Sequence, residues 1–195
     1  MRKILRNRLA LSTVVTTLII LVVAVLLAGV VTYFAINVVS TRVQQQNLTI
    51  SLQHIWVDSA GTAEAGMLIT NTGGRDVVLT AIQVRGIAAT FSGGDANVYV
   101  AVDTGGTIPS SLSCLTSNEL TTQADNPFGG TGSFGLSSGE LILNSGVSIV
   151  VYILAPQGVT IRDVGTTIGI TVFTAQAMYY QETNVQVAPV GTTVG

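Results

Sequence analysis

The chain has 195 residues, 48% of them hydrophobic and 9% charged. A soluble domain carries about a quarter of its residues as charges, and disordered chains are polar and highly charged, so this is neither an ordinary cytosolic enzyme nor a disordered chain. One cysteine and one histidine exclude a disulfide framework, a thiolate metal cage and a multi-histidine metal site, and a net charge of −2 gives no sign of a nucleic-acid partner.

The charge is unevenly divided. Residues 1–42 hold Arg2, Lys3, Arg6, Arg8 and Arg42 and no acid, whereas residues 43–195 hold 3 bases and 10 acids. A basic, apolar start joined to an acidic, strand-forming remainder predicts a membrane segment followed by an external domain. From Leu9 to Thr41 the chain is uncharged, and Val14 to Val39 is mostly Val, Leu, Ile and Ala. About 20 apolar residues span a bilayer, so the run suffices for a retained helix. It far exceeds the 7–15 apolar residues of a secretory signal peptide, and Ser40-Thr41-Arg42 is a poor cleavage site. The basic end stays in the cytoplasm by the positive-inside rule. Such a helix serves either as a single-pass anchor or as one member of a bundle of copies, since helix association in lipid rests on van der Waals fit.

After Val43 the apolar period shortens to two. Leu48, Ile50 and Leu52 alternate with polar residues. Met67 and Ile69 lead to the turn signal Asn71-Thr72-Gly73-Gly74. In the next strand Val78, Thr80, Ile82 and Val84 share one face, with Val77, Leu79 and Ala81 on the other. Val98, Val100 and Val102 follow, then Val147, Ile149, Val151 and Ile153, then Ile168, Ile170 and Val172, and a last strand from Met178 to Val187. About seven short strands separated by Gly, Asn and Asp read as an antiparallel β-sandwich. Between Asp103 and Glu140 the pattern fades into Gly, Ser and Thr, with a short helix or hairpin expected near Leu115 to Leu120. This stretch reads as a surface loop, or else as a contact surface between subunits or with a substratum.

Arg8-Leu9-Ala10-Leu11-Ser12-Thr13-Val14-Val15, continued by the apolar run to Tyr33-Phe34, resembles the N-terminal segment of archaeal type IV pilin-like proteins, a superfamily of archaeal pilins and archaellins. The stretch Met67 to Gly73 followed by Asp76 to Thr80 resembles the start of their β-domain, and Asp163-Val164-Gly165-Thr166 before an apolar strand resembles a late strand. The resemblance implies an α+β fold: a long N-terminal hydrophobic helix followed by an immunoglobulin-like antiparallel β-sandwich. It implies a basic leader (1–10) of class III signal-peptide type, a transmembrane or filament-core helix (11–42) and an extracellular sandwich domain (43–195). It further implies a leader cut by a prepilin-type peptidase within Arg8, Leu9, Ala10 and Leu11. Leu9 between Arg8 and Ala10 departs from the family pattern of a charge just before the small residue, and Thr13 stands where many relatives have proline.

The implied function is that of a structural subunit of an extracellular pilus-like filament for adhesion or motility. Its partners would be copies of itself, the membrane before assembly, the peptidase and the assembly machinery. Helical stacking of copies is a heterologous contact that does not close and gives a fibre. The alternative is a membrane-anchored cell-surface sandwich that never polymerises.

The remaining candidates are few. Asn47-Leu48-Thr49 is an N-glycosylation sequon just past the expected membrane exit. Cys114 reads as a small buried residue, with pairing between molecules as the alternative. His54 cannot complete a blue-copper set, which needs a second histidine. Asp95, Asp103, Asp125 and Glu140 lack the spacing of a calcium loop and read as a solvated acidic face. No nucleophile–base pair is built around one histidine, Gly-x-Ser-x-Gly is absent, and the glycine-rich loop lacks the Lys-Ser/Thr of a phosphate loop. No cofactor and no enzymatic activity are expected.

Overall fold

A computed structural model describes residues 2–43, 45–122, 127–129, 134–190, 192 and 194, without the side chains of 2–10, 42, 43, 121 and 122. The chain divides into two units, 1–44 and 45–195. The first is a single helix, α1 (Arg2–Val43), uninterrupted over 42 residues. It contains no proline to remove a backbone bond. Its threonines are absorbed locally: the hydroxyls of Thr16, Thr17, Thr32 and Thr41 donate to the carbonyls of Ser12, Val14, Ala28 and Asn37 at 2.7–2.9 Å. Residues 2–10 of the expected leader are part of the same helix.

Among its described residues the second unit holds ten strands: β1 (Leu48–Val57), β2 (Ala63–Asn71), β3 (Val77–Val84), β4 (Ile87–Ala88), β5 (Val98–Val102), β6 (Gly135–Leu136), β7 (Leu141–Leu143), β8 (Ser148–Leu154), β9 (Thr167–Thr174) and β10 (Met178–Val187). A short helix, α2 (Ser117–Thr122), lies between β5 and β6, where the sequence left a short helix or a hairpin open. The strands form one continuous path, β4-β3-β9-β10-β1-β2-β8-β5-β6, with β7 beside β3. One core draws on strands from both arms of this path: Ile82 and Val84 of β3, Ile170 of β9, Ile55 of β1, Met67 of β2, Val151 of β8 and Val98 of β5. The sheet therefore curls around its own interior.

The antiparallel expectation fails at one place. β1 and β10 pair in parallel, with Ile55 opposite Val185 and Val57 opposite Val187, while the other paired strands are antiparallel. Two strands also change phase. In β1 the register shifts between Ser51 and His54, and Leu52 adopts a left-handed φ of 53°. Leu48 and Ile50 face the core, Leu52 does not, and Ile55 and Val57 resume inward packing. In β3 the shift falls between Leu79 and Ala81, so the buried set is Val77 and Leu79, then Ile82 and Val84. A bulge adds one residue and exchanges the two faces of everything beyond it, which is why unbroken alternation misassigns Leu52 and Val78. The strands without bulges follow expectation: Ile149, Val151 and Ile153 of β8 and Ile168, Ile170 and Val172 of β9 all enter the core.

The segment 103–140 is more than a surface loop. Leu112, Cys114, Leu120, Phe128 and Phe134 pack on the outer face of the β1–β2–β8–β5 sheet against Trp56, Leu68, Ala101, Val150 and Tyr152. β2 is consequently buried on both faces, and its sequence AEAGMLIT shows the near-continuous apolar run such a strand needs.

The motif Asn71-Thr72-Gly73 closes β2 as a structural knot. The buried Asn71 amide donates to the Arg75 and Leu143 carbonyls at 2.8 and 3.0 Å and accepts from the Gly73 N–H at 3.0 Å. The Asn47 carbonyl accepts the N–H groups of Thr72 and Gly73. A Cβ on Gly73 would lie 2.7 Å from the Asn47 nitrogen, so only glycine fits this approach.

Candidate functional site

The feature with the clearest physical purpose is α1. Residues Leu11–Thr41 form a helical span of 31 residues, long and apolar enough to cross a membrane, and none of it is buried within the chain. At about 1.5 Å per residue the span approaches 46 Å, against a bilayer core of about 30 Å. Successive residues advance about 100° around a helix, so the exposed Leu18, Ile19, Ile20 and Leu21 alone encircle it. The middle of α1 is therefore apolar on every side, unlike a surface helix, which keeps a polar face. Back-bonding of the threonine hydroxyls lowers the cost of placing them in hydrocarbon. Of the cleavage-region candidates, Leu11 is exposed, and Arg8, Leu9 and Ala10 lie on the same continuous helix, their side chains outside the described residues.

Asn47 is exposed, and its amide donates to the Thr72 hydroxyl at 2.9 Å. Thr49, the third sequon residue, points to solvent from β1. The four candidate acids do not converge. Asp95 lines a cleft of about 500 Å³, Asp103 accepts the N–H groups of Gly105 and Gly106, Glu140 is exposed, and Asp125 lies outside the described residues. No group of three or more His, Cys, Asp or Glu that could hold a metal ion exists among the described residues. The cleft is walled by Val84, Ile87 and Leu154, and its Asn97 is spent on the Leu154 carbonyl and the Thr90 N–H. His54 is half-buried and stacks on Trp56 with ring centroids 5.2 Å apart.

One group was hidden from sequence reasoning. Glu64, on β2, has no exposed surface. Its carboxyl accepts the Leu115 N–H at 3.2 and 3.3 Å and the Cys114 thiol at 3.5 Å. Beside it the Tyr152 hydroxyl donates to the Ser113 carbonyl at 2.7 Å, and the Tyr152 ring meets Phe134 edge-on at 5.2 Å. Burial pushes the Glu64 carboxyl up from 4.5 to about 8; the Leu115 and Cys114 donors pull it back in part, and Glu119 of α2 raises it further. Burial also raises the Cys114 thiol and the Tyr152 phenol, with the Glu64 charge adding to both. Cys114 is thus a buried, unreactive thiol, in line with its reading as a small buried residue. The sequence expectation began this strand at Met67 and so passed over Glu64. The available signal was a single acid inside the apolar run from Ala63 to Ile69.

The late motif is also structural. Asp163 accepts the Thr160 N–H at 2.8 Å and pairs with Arg85 at 2.7 Å, and these contacts hold its carboxyl below the usual range.

The chain matches no protein-family model, and a search of curated proteins finds no match.

Proposed function

We propose that this chain is a structural subunit of an archaeal extracellular, pilus-like filament for adhesion or motility. The observation that carries the reading is α1: an uncharged span of 31 residues, apolar on every side in its middle and unburied by its own chain. A helix of this kind needs other apolar matter around it. Lipid meets that need before assembly, and the helices of other copies meet it in a filament core. The ten-strand domain, read as an immunoglobulin-like sandwich, would form the sheath. Four basic residues in Met1–Arg8 would be costly to desolvate and would repel in such a core, so removal of the leader within Arg8 to Leu11 by a prepilin-type peptidase would license assembly. Catalysis and a bound cofactor have no part in this reading.

A charge placed in mid-helix separates the filament from the anchor. Val23→Arg puts one ion in the centre of α1. A single-pass helix tolerates such an ion at about 3 kcal/mol, whereas a filament core would repeat it in every copy. The expected result is loss of the chain from sheared surface filaments with retention in the membrane fraction. Filaments formed as readily as by the unsubstituted chain would contradict the proposal. An unsubstituted chain found only in membranes would favour the anchored reading.

A further inference from the structure

The 112–120 stretch is held to the sheet through a buried acid, with no cation to neutralise it among the described residues. Glu64 carries two of the tethers, to Leu115 N–H and the Cys114 thiol, and Tyr152 carries a third to Ser113. Among the described residues the ion pair is Arg85–Asp163, so none reaches Glu64. The titratable groups that face the carboxyl are Cys114 and Glu119 from this stretch and Tyr152 from β8. Asp58, at the end of β1, acts on the same thiol and is itself buried, accepting the Thr62 and Val194 N–H groups. His54 of β1 stacks on Trp56 in this layer and makes no ion pair. Every neighbour that could add charge at alkaline pH would add a negative one.

We propose that Glu64 is a protonation-controlled clasp, which holds the 112–120 stretch on the outer face of the sheet and loosens it as the solution turns alkaline. The neutral acid is the cheaper form to keep in the apolar layer. The carboxylate would have only one N–H and one weak thiol donor in place of its hydration, with Glu119 near, and burial of an uncompensated charge is strongly unfavourable. Lifting the stretch restores water to the carboxylate. It also uncovers Trp56, Leu68, Val150 and Tyr152, so the state of one proton would decide whether an apolar face is covered.

Cys114 is the only cysteine and sits at the clasp, so its alkylation reports the opening. The full-length chain in detergent micelles is treated with iodoacetamide from pH 5 to 9. Each rate is divided by that of the urea-unfolded chain at the same pH, which removes thiol ionisation from the ratio. Opening that releases one proton changes this protection by about tenfold per pH unit. The expected profile falls by about that slope from pH 5 and levels near pH 8, the value set by Glu64 burial. Glu64→Gln should give a flat profile. Glu119→Gln, which preserves the cap on the Thr116 N–H, should reduce the total fall and keeps the test decisive if Glu64→Gln does not fold. A flat profile in the unsubstituted chain, an equal fall in Glu64→Gln, or opening on acidification would each overturn the clasp.

Discussion

Asn71→Ala should be among the most damaging single substitutions in the β-domain that leave its apolar core intact. The side chain is fully buried and makes three hydrogen bonds, to the carbonyls of Arg75 and Leu143 and from the Gly73 N–H. Each is worth about 1 kcal/mol net. Arg75 is exposed and Gly73 half-buried, so their groups regain water once the amide is gone. Leu143 is buried, and its carbonyl is left without its amide donor, which adds to the loss. The total comes to about 3 kcal/mol, or a fall in Tm of roughly 6–12 °C for a domain of about 150 residues. Trp56, the sole tryptophan, is buried in the outer layer of the same unit, so its fluorescence in a urea titration reports unfolding of this domain and not of α1. Thr72→Ala is the control. It removes a hydroxyl at an exposed position and should cost under about 1 kcal/mol. A loss below about 1 kcal/mol for Asn71→Ala, or one equal to that of Thr72→Ala, would refute the knot as a stabilising element.

Gly66→Ala should crowd the outer layer, because a Cβ there would lie 2.9 Å from Tyr152 Cε1 and 3.1 Å from Trp56 Cζ3; overpacking of this kind costs about 1–3 kcal/mol, read as a lower urea midpoint together with a shift in Trp56 emission. Global stability should also depend on pH through Glu64. Its folded value of about 8 lies above the ordinary 4.5, so its contribution is complete below 4.5, falls as pH rises to about 8 and is constant beyond. The span corresponds to at most about 5 kcal/mol, and urea midpoints at pH 5 and 9 should differ in the unsubstituted chain and converge in Glu64→Gln.

The long helix and the unbroken strands were legible because their signals are local. Thirty-three uncharged residues admit few readings, and Ile149, Val151 and Ile153, or Ile168, Ile170 and Val172, need only a period of two to declare their inward face. What stayed hidden depends on contacts distant in sequence. Nothing near Leu52 or Thr80 announces a bulge, since Leu52 is not a residue that favours a positive φ. The parallel pairing of β1 with β10 joins strands from opposite ends of the domain. The 103–140 segment looked featureless because its anchors, Leu112, Leu120, Phe128 and Phe134, are sparse and aperiodic among Gly, Ser and Thr. They are nevertheless large enough to cover a sheet face. Glu64 was hidden for the same reason: its meaning comes from the segment folded over it, 50 residues from Cys114. Asn71-Thr72-Gly73 and Asp163 were noticed for a resemblance, and the structure gives them work as turn and cap.

In the proposed filament α1 enters the polymer once its basic start has been removed. The most direct test is to shear cells that produce the chain, collect surface filaments and determine the N-terminal residue of this protein in them by mass spectrometry. In the polymer the chain should start near Leu11. A chain beginning at Met1 or Arg2, found in membranes and absent from filaments, would contradict it.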